Sequence, residues 1–229
     1  MAVTGTRALH FLHSMATKKI DLSADTVKVL LMRSGFVFSP VNHKTLLNIK
    51  TNSTAISLTA SNSLSKFTRG AGSFITDGFV VGNRITTNSA HAANQGPFLI
   101  SVLSATVMTV TNMAGADVTL DVATEPETIT ITSDDELDTG FGYTKNTKTT
   151  GVITVTEDDT NIRVDITFPT VTWTATGGSI GPTPGAILMD DTSSDDTIIG
   201  YINYGAEVTT TDGNNHSISN GIIRLTAPL

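Results

Sequence analysis

The amino-acid sequence predicts a mainly β protein: an antiparallel β-sandwich or barrel host domain with one N-terminal helix and an inserted small β-barrel-like domain. Three observations lead to this prediction. Short runs rich in β-branched residues recur along most of the chain, turn residues separate them, and only the first segment has helical spacing. Regularly spaced short strands are typical of sandwiches and barrels.

The N-terminal segment predicts the helix. Apolar residues recur at helical spacing between Ala8 and Met15, and Thr4 or Thr6 is the expected N-cap. Two lysines suit the C-terminal end of the helix dipole, so the helix is expected to end near Ile20.

The segment after the helix predicts a buried strand, TVKVLLMRS, from Thr26 to Ser34. This strand cannot satisfy its backbone groups alone, and similar unpaired material lies after Gly151. There, TGVITVTEDDTNIRVDITF predicts a hairpin, and VTWTAT, AILMDD, TIIGYINYG and GIIRLTAP predict further strands. Trp173 alternates with Val171 and Ala175, which makes it an expected core residue.

The middle of the chain predicts a second set of short strands: AISLTAS, FITDGFVVGNRITT, GPFLISVLSATVMTVTNM, DVTLDVA and TITITS. We therefore expect a discontinuous host domain, residues 1–45 plus 133–229, with residues 46–132 inserted as a small β domain. The acidic segment Asp134 to Gly142 is expected to be a linker or exposed loop, and Gly177 to Gly185 a loop between strands.

Composition excludes several classes of function. The formal net charge is -7 and no cluster of Lys and Arg occurs, so we expect no nucleic-acid binding. The chain has no cysteine, which excludes disulfides and thiolate metal sites. It has no signal-peptide pattern and no apolar stretch of about 20 residues, so we expect a soluble protein without a membrane partner.

No catalytic or cofactor motif is present, so we expect a non-enzymatic protein without cofactor. The five histidines lack a metal-ligand spacing, and no nucleophile elbow or phosphate loop occurs. His10 and His13 lie one helical turn apart, but that spacing is common on amphipathic helices. Acidic pairs such as Asp190-Asp191 and Asp195-Asp196 could in principle hold Ca²⁺, although the expected reading is a turn.

The host portion resembles a family of tailed-bacteriophage virion structural proteins. The resemblance consists of an N-terminal helix, DTVKVLLMRS, GVITVTEDDTNIRVDITFPTVTWTAT, AILMDDTSSDDTIIGYINYG and GIIRLTA, in that order. The middle block, with SKFTRGAGSFITDGFVVGNRITT and NQGPFLISVLSATVMTV, is similar to a second small phage β-module. The resemblance implies a virion component, assembled in the host cytoplasm.

Within that family, the expected role is a capsid decoration, or cement, protein that binds the outer head surface and stabilises contacts between major capsid subunits. Its partners would be the major capsid protein and further copies of itself, in a symmetric oligomer such as a trimer. One alternative is a tail or neck component. Another is a carbohydrate- or receptor-binding module at a virion tip, which needs exposed aromatics near Phe67, Phe74, Phe79 or Phe98.

The expected contact residues are Phe11, Leu12 and Met15 of the amphipathic helix, together with an exposed strand edge able to pair with a partner. The competing interpretation, which the sequence favours, is that this apolar stripe covers the sheet of its own domain, as such stripes more often do.

Overall fold

The computed structural model describes residues 4–58, 65–121, 127–219 and 221–226. It is mainly β, with 46% strand and 7% helix, and its sheets are antiparallel. The predicted fold class is therefore confirmed.

The described elements follow one another in chain order. They are β1 (Thr4–Arg7), α1 (Leu9–Ala16), β2 (Val27–Leu31), a 3₁₀ turn (Leu46–Asn48), β3 (Lys50–Leu58), β4 (Lys66–Thr68), β5 (Arg84–Thr87), a second 3₁₀ turn (Ala92–Asn94), β6 (Phe98–Leu103), β7 (Val107–Thr111), β8 (Glu127–Asp134), β9 (Thr154–Asp158), β10 (Arg163–Phe168), β11 (Val171–Thr174), β12 (Ile180–Asp190), β13 (Ile198–Thr210), β14 (Asn215–Ile218) and β15 (Gly221–Thr226).

The chain divides into two compact units. The first unit comprises Met1–Ser34, Phe38–Leu46 and Glu136–Leu229, and the second comprises Gly35–Val37 and Leu47–Asp135. Each unit has its own sheets.

The main sheet of the first unit has the strand order β1-β13-β12-β2. β2 pairs antiparallel with β12, as the unpaired backbone of the predicted strand 26–34 required, with Leu30 opposite Ile187. Val29, Leu30 and Leu31 are fully or almost fully buried, which explains why this strand is continuously apolar rather than alternating.

Two smaller sheets complete the first unit. The predicted hairpin forms β9 and β10, and β15 pairs with the other edge of β10. β11 pairs with β14, which places Trp173 opposite His216. Trp173 is buried, as predicted from its alternation with Val171 and Ala175.

The second unit contains a six-stranded, curled half-barrel sheet with the order β3-β8-β5-β6-β7-β4. Its concave face encloses a separate apolar core: Ile56, Phe67, Phe74, Phe79, Ile85, Phe98, Ile100, Met108, Val110, Leu120, Ile129 and Ile131. Alternation along β8 places Ile129 and Ile131 in this core.

Not every predicted strand of the middle block forms. In FITDGFVVGNRITT only Arg84–Thr87 is a strand, and the preceding residues form turns. In DVTLDVA, Asp117 makes an isolated bridge to Thr111, and residues 122–123 lie outside the described residues. Turns at Gly78 and Gly82, both with positive φ, interrupt the first of these runs.

The start of the chain differs from the prediction. Thr4 and Thr6 do not cap the helix, because both belong to β1, which pairs with β13. Ala8 occupies the N-cap position without a side-chain hydrogen bond, and α1 ends at Ala16 rather than near Ile20. Helix and strand share the short N-terminal segment, which local periodicity does not reveal.

The predicted loop from Gly177 to Gly185 is also wrong in its second half, because β12 begins at Ile180. Register shifts occur on both sides of Thr183, and the two prolines of this stretch lie there. A proline is accepted in a strand where the ladder is already irregular, since it lacks an N–H donor.

The acidic segment Asp134 to Gly142 is only in part the exposed loop that its composition predicts: Asp138, Thr139, Phe141 and Gly142 are exposed, but the residues near its start are buried. Asp135 is buried and accepts hydrogen bonds from the Asn83 side chain (2.7 Å) and the Arg84 N–H (2.9 Å). Glu136 is buried and accepts from the Tyr143 hydroxyl (2.6 Å) and the Asn146 N–H (2.7 Å). Both carboxylates satisfy backbone or side-chain donors of the unit to which they belong.

Candidate interaction surface

Helix α1 presents two different faces. Phe11 and Ser14 are buried, whereas Leu9 is 59% and Leu12 is 38% exposed. Met15 is partly buried. An eight-residue helix makes about two turns, so residues three apart fall on one side and their neighbours on the other.

The three predicted contact residues therefore lie in different environments. Phe11 lies in the core of the first unit, so it is not a surface contact residue in this structure. Leu12 lies on the outer face, and Leu9, which the prediction missed, lies there with it. The N–H of Leu9 donates to the carbonyl of Pro40 (2.9 Å), next to the exposed Val41. We call Leu9, Leu12 and Val41 the leucine patch.

Met15 lines an apolar groove of about 520 Å³ at the C-terminal end of α1. Ile20 and Leu22 line the same side, and residues of the three-stranded sheet form the other: Val155, Val164, Ile166 and Leu225. Cross-strand pairing of Val155 with Ile166 and of Val164 with Leu225 places these side chains on one face. The alternation of apolar and polar residues along the hairpin predicts that these side chains share one face. It does not predict that part of this face borders a groove.

The edge strand next to this groove is β9. It pairs with β10 on one side, and on the other it meets no strand of the described part of the chain. Val155 is 48% and Val152, just before the strand, is 87% exposed. An open strand edge with apolar side chains is a surface that an extended segment of another protein can join. The leucine patch, the groove and the β9 edge together form the candidate interaction surface.

A second cleft of about 520 Å³ in the first unit has more polar chemistry. Within it, the buried His216 ring contacts the Tyr204 hydroxyl through Nε2 (3.1 Å) and the Thr210 hydroxyl through Nδ1 (2.9 Å). Burial lowers the pKa of His216 and, as the larger of two causes, raises that of Tyr204. Both imidazole nitrogens are thus engaged by hydroxyls, and the ring links β13 to β14.

The predicted polar sites are dispersed. His10 contacts Asp195 (3.2 Å) and stacks on His13, while His91 contacts Asp121 (3.1 Å). Among the residues described, no group of three or more His, Asp or Glu side chains converges as a metal site.

One acidic residue has an unusual environment. Asp190 is fully buried at the end of β12. Burial, the largest cause, and the charge of the facing Asp25 carboxyl raise the pKa of Asp190 to about 6. The turn from Asp190 to Thr197 is as predicted, since the N–H groups of Thr192 and Ser193 donate to the Asp190 side chain.

The aromatic residues required by a carbohydrate-binding module are not exposed. Phe67, Phe74, Phe79 and Phe98 all lie in the core of the second unit, and the most accessible of them, Phe98, is 6% exposed. The carbohydrate-binding alternative required these aromatic side chains to be exposed, and they are buried.

Comparison with known proteins adds no relative. No family, no curated protein and no solved structure matches the chain. Among the residues described, no helix has the length and apolar character needed to cross a membrane.

Proposed function

We propose that this chain is a non-enzymatic structural protein of a tailed-phage virion, and that it decorates the outer surface of the capsid. The partner is the major capsid protein. Copies of the chain bind at junctions between capsid subunits as a symmetric oligomer such as a trimer.

One observation supports this proposal above the others. KVLL lies about 150 residues before AILMDD and IIGYINYG, yet these three segments of the phage-protein resemblance fall on β2, β12 and β13. These are consecutive strands of the central sheet of the first unit. The resemblance therefore concerns the residues that build the framework of this unit, rather than scattered surface positions.

The candidate interaction surface suits binding to a partner protein rather than catalysis. Burying an exposed leucine under a partner contributes about 1 kcal/mol or more, and backbone pairing at the β9 edge adds orientation. The affinity of each site is modest, but a decoration protein binds at many equivalent sites across the capsid shell. Linked copies gain from effective concentration, so a symmetric oligomer holds several capsid subunits together.

Copy number tests the assignment. Quantitative mass spectrometry of purified virions compares this chain with the major capsid protein. We expect a ratio near one, or a fixed large fraction of one. A ratio of a few per cent would assign the chain to the neck or tail instead, and absence from the particles would refute a virion role.

The contact surface has its own test. The double variant Leu9→Asp, Leu12→Asp replaces both leucines of the leucine patch, and an aspartate in the first turn suits the helix dipole. We expect its occupancy on capsids to fall at least about tenfold, the equivalent of about 1.4 kcal/mol. Val102→Asp is the matched control, because Val102 is 60% exposed on β6 of the second unit. Equal occupancy of both variants would exclude the leucine patch as the contact.

A further inference from the structure

Two loops of the first unit bring a pair of carboxyl groups together. Asp190 lies opposite Val27 in the β2–β12 ladder, and Asp25 precedes Val27 by two residues. Burial is the largest cause of the raised pKa of Asp190, and the Asp25 carboxyl lies close enough to raise that pKa further, through its charge and as a hydrogen-bond partner. The N–H of Asp191 donates to the carbonyl of Thr26 (2.9 Å), which fixes the two loops side by side.

One oxygen of each carboxyl group lacks a donor. Asp190 is fully buried; its Oδ1 accepts from the N–H groups of Thr192 (2.9 Å) and Ser193 (3.2 Å), while its buried Oδ2 has no hydrogen-bond partner. Oδ2 of Asp25 accepts from the N–H of Asp21 (2.6 Å), and no described donor contacts Oδ1. Among the described residues, no donor contacts either of these two oxygens.

The nearby basic side chains are engaged elsewhere. Lys28 pairs with Asp191 (2.7 Å), and His10 contacts Asp195 (3.2 Å). A buried carboxylate oxygen without a donor or counter-charge is destabilising, and a second carboxylate nearby increases that cost. A cation between the two groups would remove it.

The available ligands select the class of cation. Two carboxylates and the carbonyl and hydroxyl groups of serine- and threonine-rich loops are hard oxygen donors. Ca²⁺ accepts six to eight such ligands, including water, so it does not require a third acidic side chain. Zn²⁺ prefers histidine and cysteine, which the pair lacks.

We propose that Asp25 and Asp190 bind a divalent cation of the calcium class, which joins the loop 21–26 to the loop 190–197. This site is independent of the proposed virion function. It stabilises the end of the β2–β12 ladder.

Thermal unfolding of the full chain tests the site, with CaCl₂ compared against EDTA and against MgCl₂ at pH 7.5. At a Ca²⁺ concentration about 100 times the Kd, we expect the Tm to rise by about 5–10 °C. Asp190→Asn keeps an oxygen for the Thr192 and Ser193 donors but removes the charge, so the Ca²⁺-dependent rise should disappear. Asp25→Asn, at a partly exposed position, should lose it too. Asp159→Asn, an exposed residue of the β9–β10 turn, should retain it.

Calorimetric titration of the unmodified chain with Ca²⁺ supplies a readout that does not depend on the folding of any variant. One Ca²⁺ per chain is the expected stoichiometry. No heat of binding and no Tm rise would overturn the proposal, and a higher Tm of Asp190→Asn without Ca²⁺ would then show that the pair shares a proton instead. A Ca²⁺-dependent Tm rise that persists in both variants would also overturn it, since the cation would bind elsewhere.

Discussion

Phe11 and Leu12 are adjacent in sequence, yet only one of them reaches the surface. Phe11 is fully buried and Leu12 is 38% exposed. The sequence places both on an apolar stripe, since helical spacing does not show where a short helix meets its sheet. The packing of α1 on the first unit decides which residue is structural and which is free to bind.

The first prediction separates these two roles by stability. Phe11→Ala should lower the free energy of unfolding by about 3–5 kcal/mol, because it leaves a cavity in the core. Leu12→Ala should change it by less than about 0.5 kcal/mol, as surface substitutions usually do. Urea unfolding followed by circular dichroism measures both. A similar loss of unfolding free energy in the two variants would contradict the finding that Phe11 is buried and Leu12 is exposed.

His43 gives the second prediction, a pH dependence. Its ring is buried against Phe38, its Nδ1 accepts a hydrogen bond from the Ser39 N–H (2.8 Å), and burial lowers its pKa to about 4. The unfolded chain binds this proton near pH 6.5, and the folded chain does so only near pH 4. Stability is therefore fully present above about pH 6.5 and decreases as the pH falls toward 4, by about 3 kcal/mol in total.

The variant His43→Asn isolates this contribution, since the Asn oxygen can still accept from the Ser39 N–H while no proton is taken up. Unfolding free energies of both proteins between pH 7.5 and 4.5 should diverge, with the steeper loss in the unmodified chain. Parallel curves would show that His43 does not titrate as its burial requires.

At the scale of elements, alternation and continuity of apolar residues predicted the strands that form most of the sheets. The β9–β10 hairpin could be anticipated from its alternating pattern, and so could the pairing of β2 with a strand after Gly151, because its backbone groups need partners. Which strand that would be, β12, was not predicted. β1, β4 and β14 were missed. They are only three or four residues long, and they are strands because a neighbouring strand offers hydrogen-bond partners.

The interaction surface was less predictable than the strands. The sequence indicated the helix and an open edge, but a groove arises only where helix, loop and sheet meet. Met15 and Val155 are 140 positions apart in the chain and line the same groove. The Asp25–Asp190 pair has the same origin, since ladder register brings it together.

The third prediction concerns the close approach of β12 and β13. A Cβ on Gly185 would lie 2.1 Å from the carbonyl oxygen of Ile202, so Gly185→Ala must displace one strand. We expect a loss of about 1–3 kcal/mol in unfolding free energy. Gly5→Ala, in β1 of the same sheet, is the matched control, because its nearest neighbour would be 3.9 Å away. Thermal and urea unfolding compare the two, and equal stability would refute the close approach.

At the scale of the whole molecule, apart from the short segment Gly35–Val37, the chain leaves the first unit after Leu46 and returns to it at Glu136. The first and last strands of the second unit, β3 and β8, pair antiparallel, with Lys50 opposite Asp134. Neighbouring strands lie about 4.8 Å apart, so the two ends of the second unit are adjacent. An insertion with adjacent ends requires little adjustment of the unit that receives it.

The fourth prediction follows from these adjacent ends. Replacement of residues 47–135 by a short Gly-Ser linker should leave the first unit folded, with one cooperative thermal transition and a dispersed NMR spectrum. Loss of cooperative unfolding would show that the first unit depends on the second. The predicted domain boundaries, 1–45 plus 133–229 and 46–132, would be tested by the same shortened chain.

The acidic end of β9 also affects how the protein behaves at high concentration. An open strand edge can start edge-to-edge stacking of identical chains, which ends in fibres. Glu157, Asp158 and Asp159 follow the Thr and Val residues of this edge. Their carboxylates oppose the same groups on a second copy, and salt screens this repulsion. Concentrated stocks should therefore stay dispersed at low ionic strength and become prone to aggregation as salt is added.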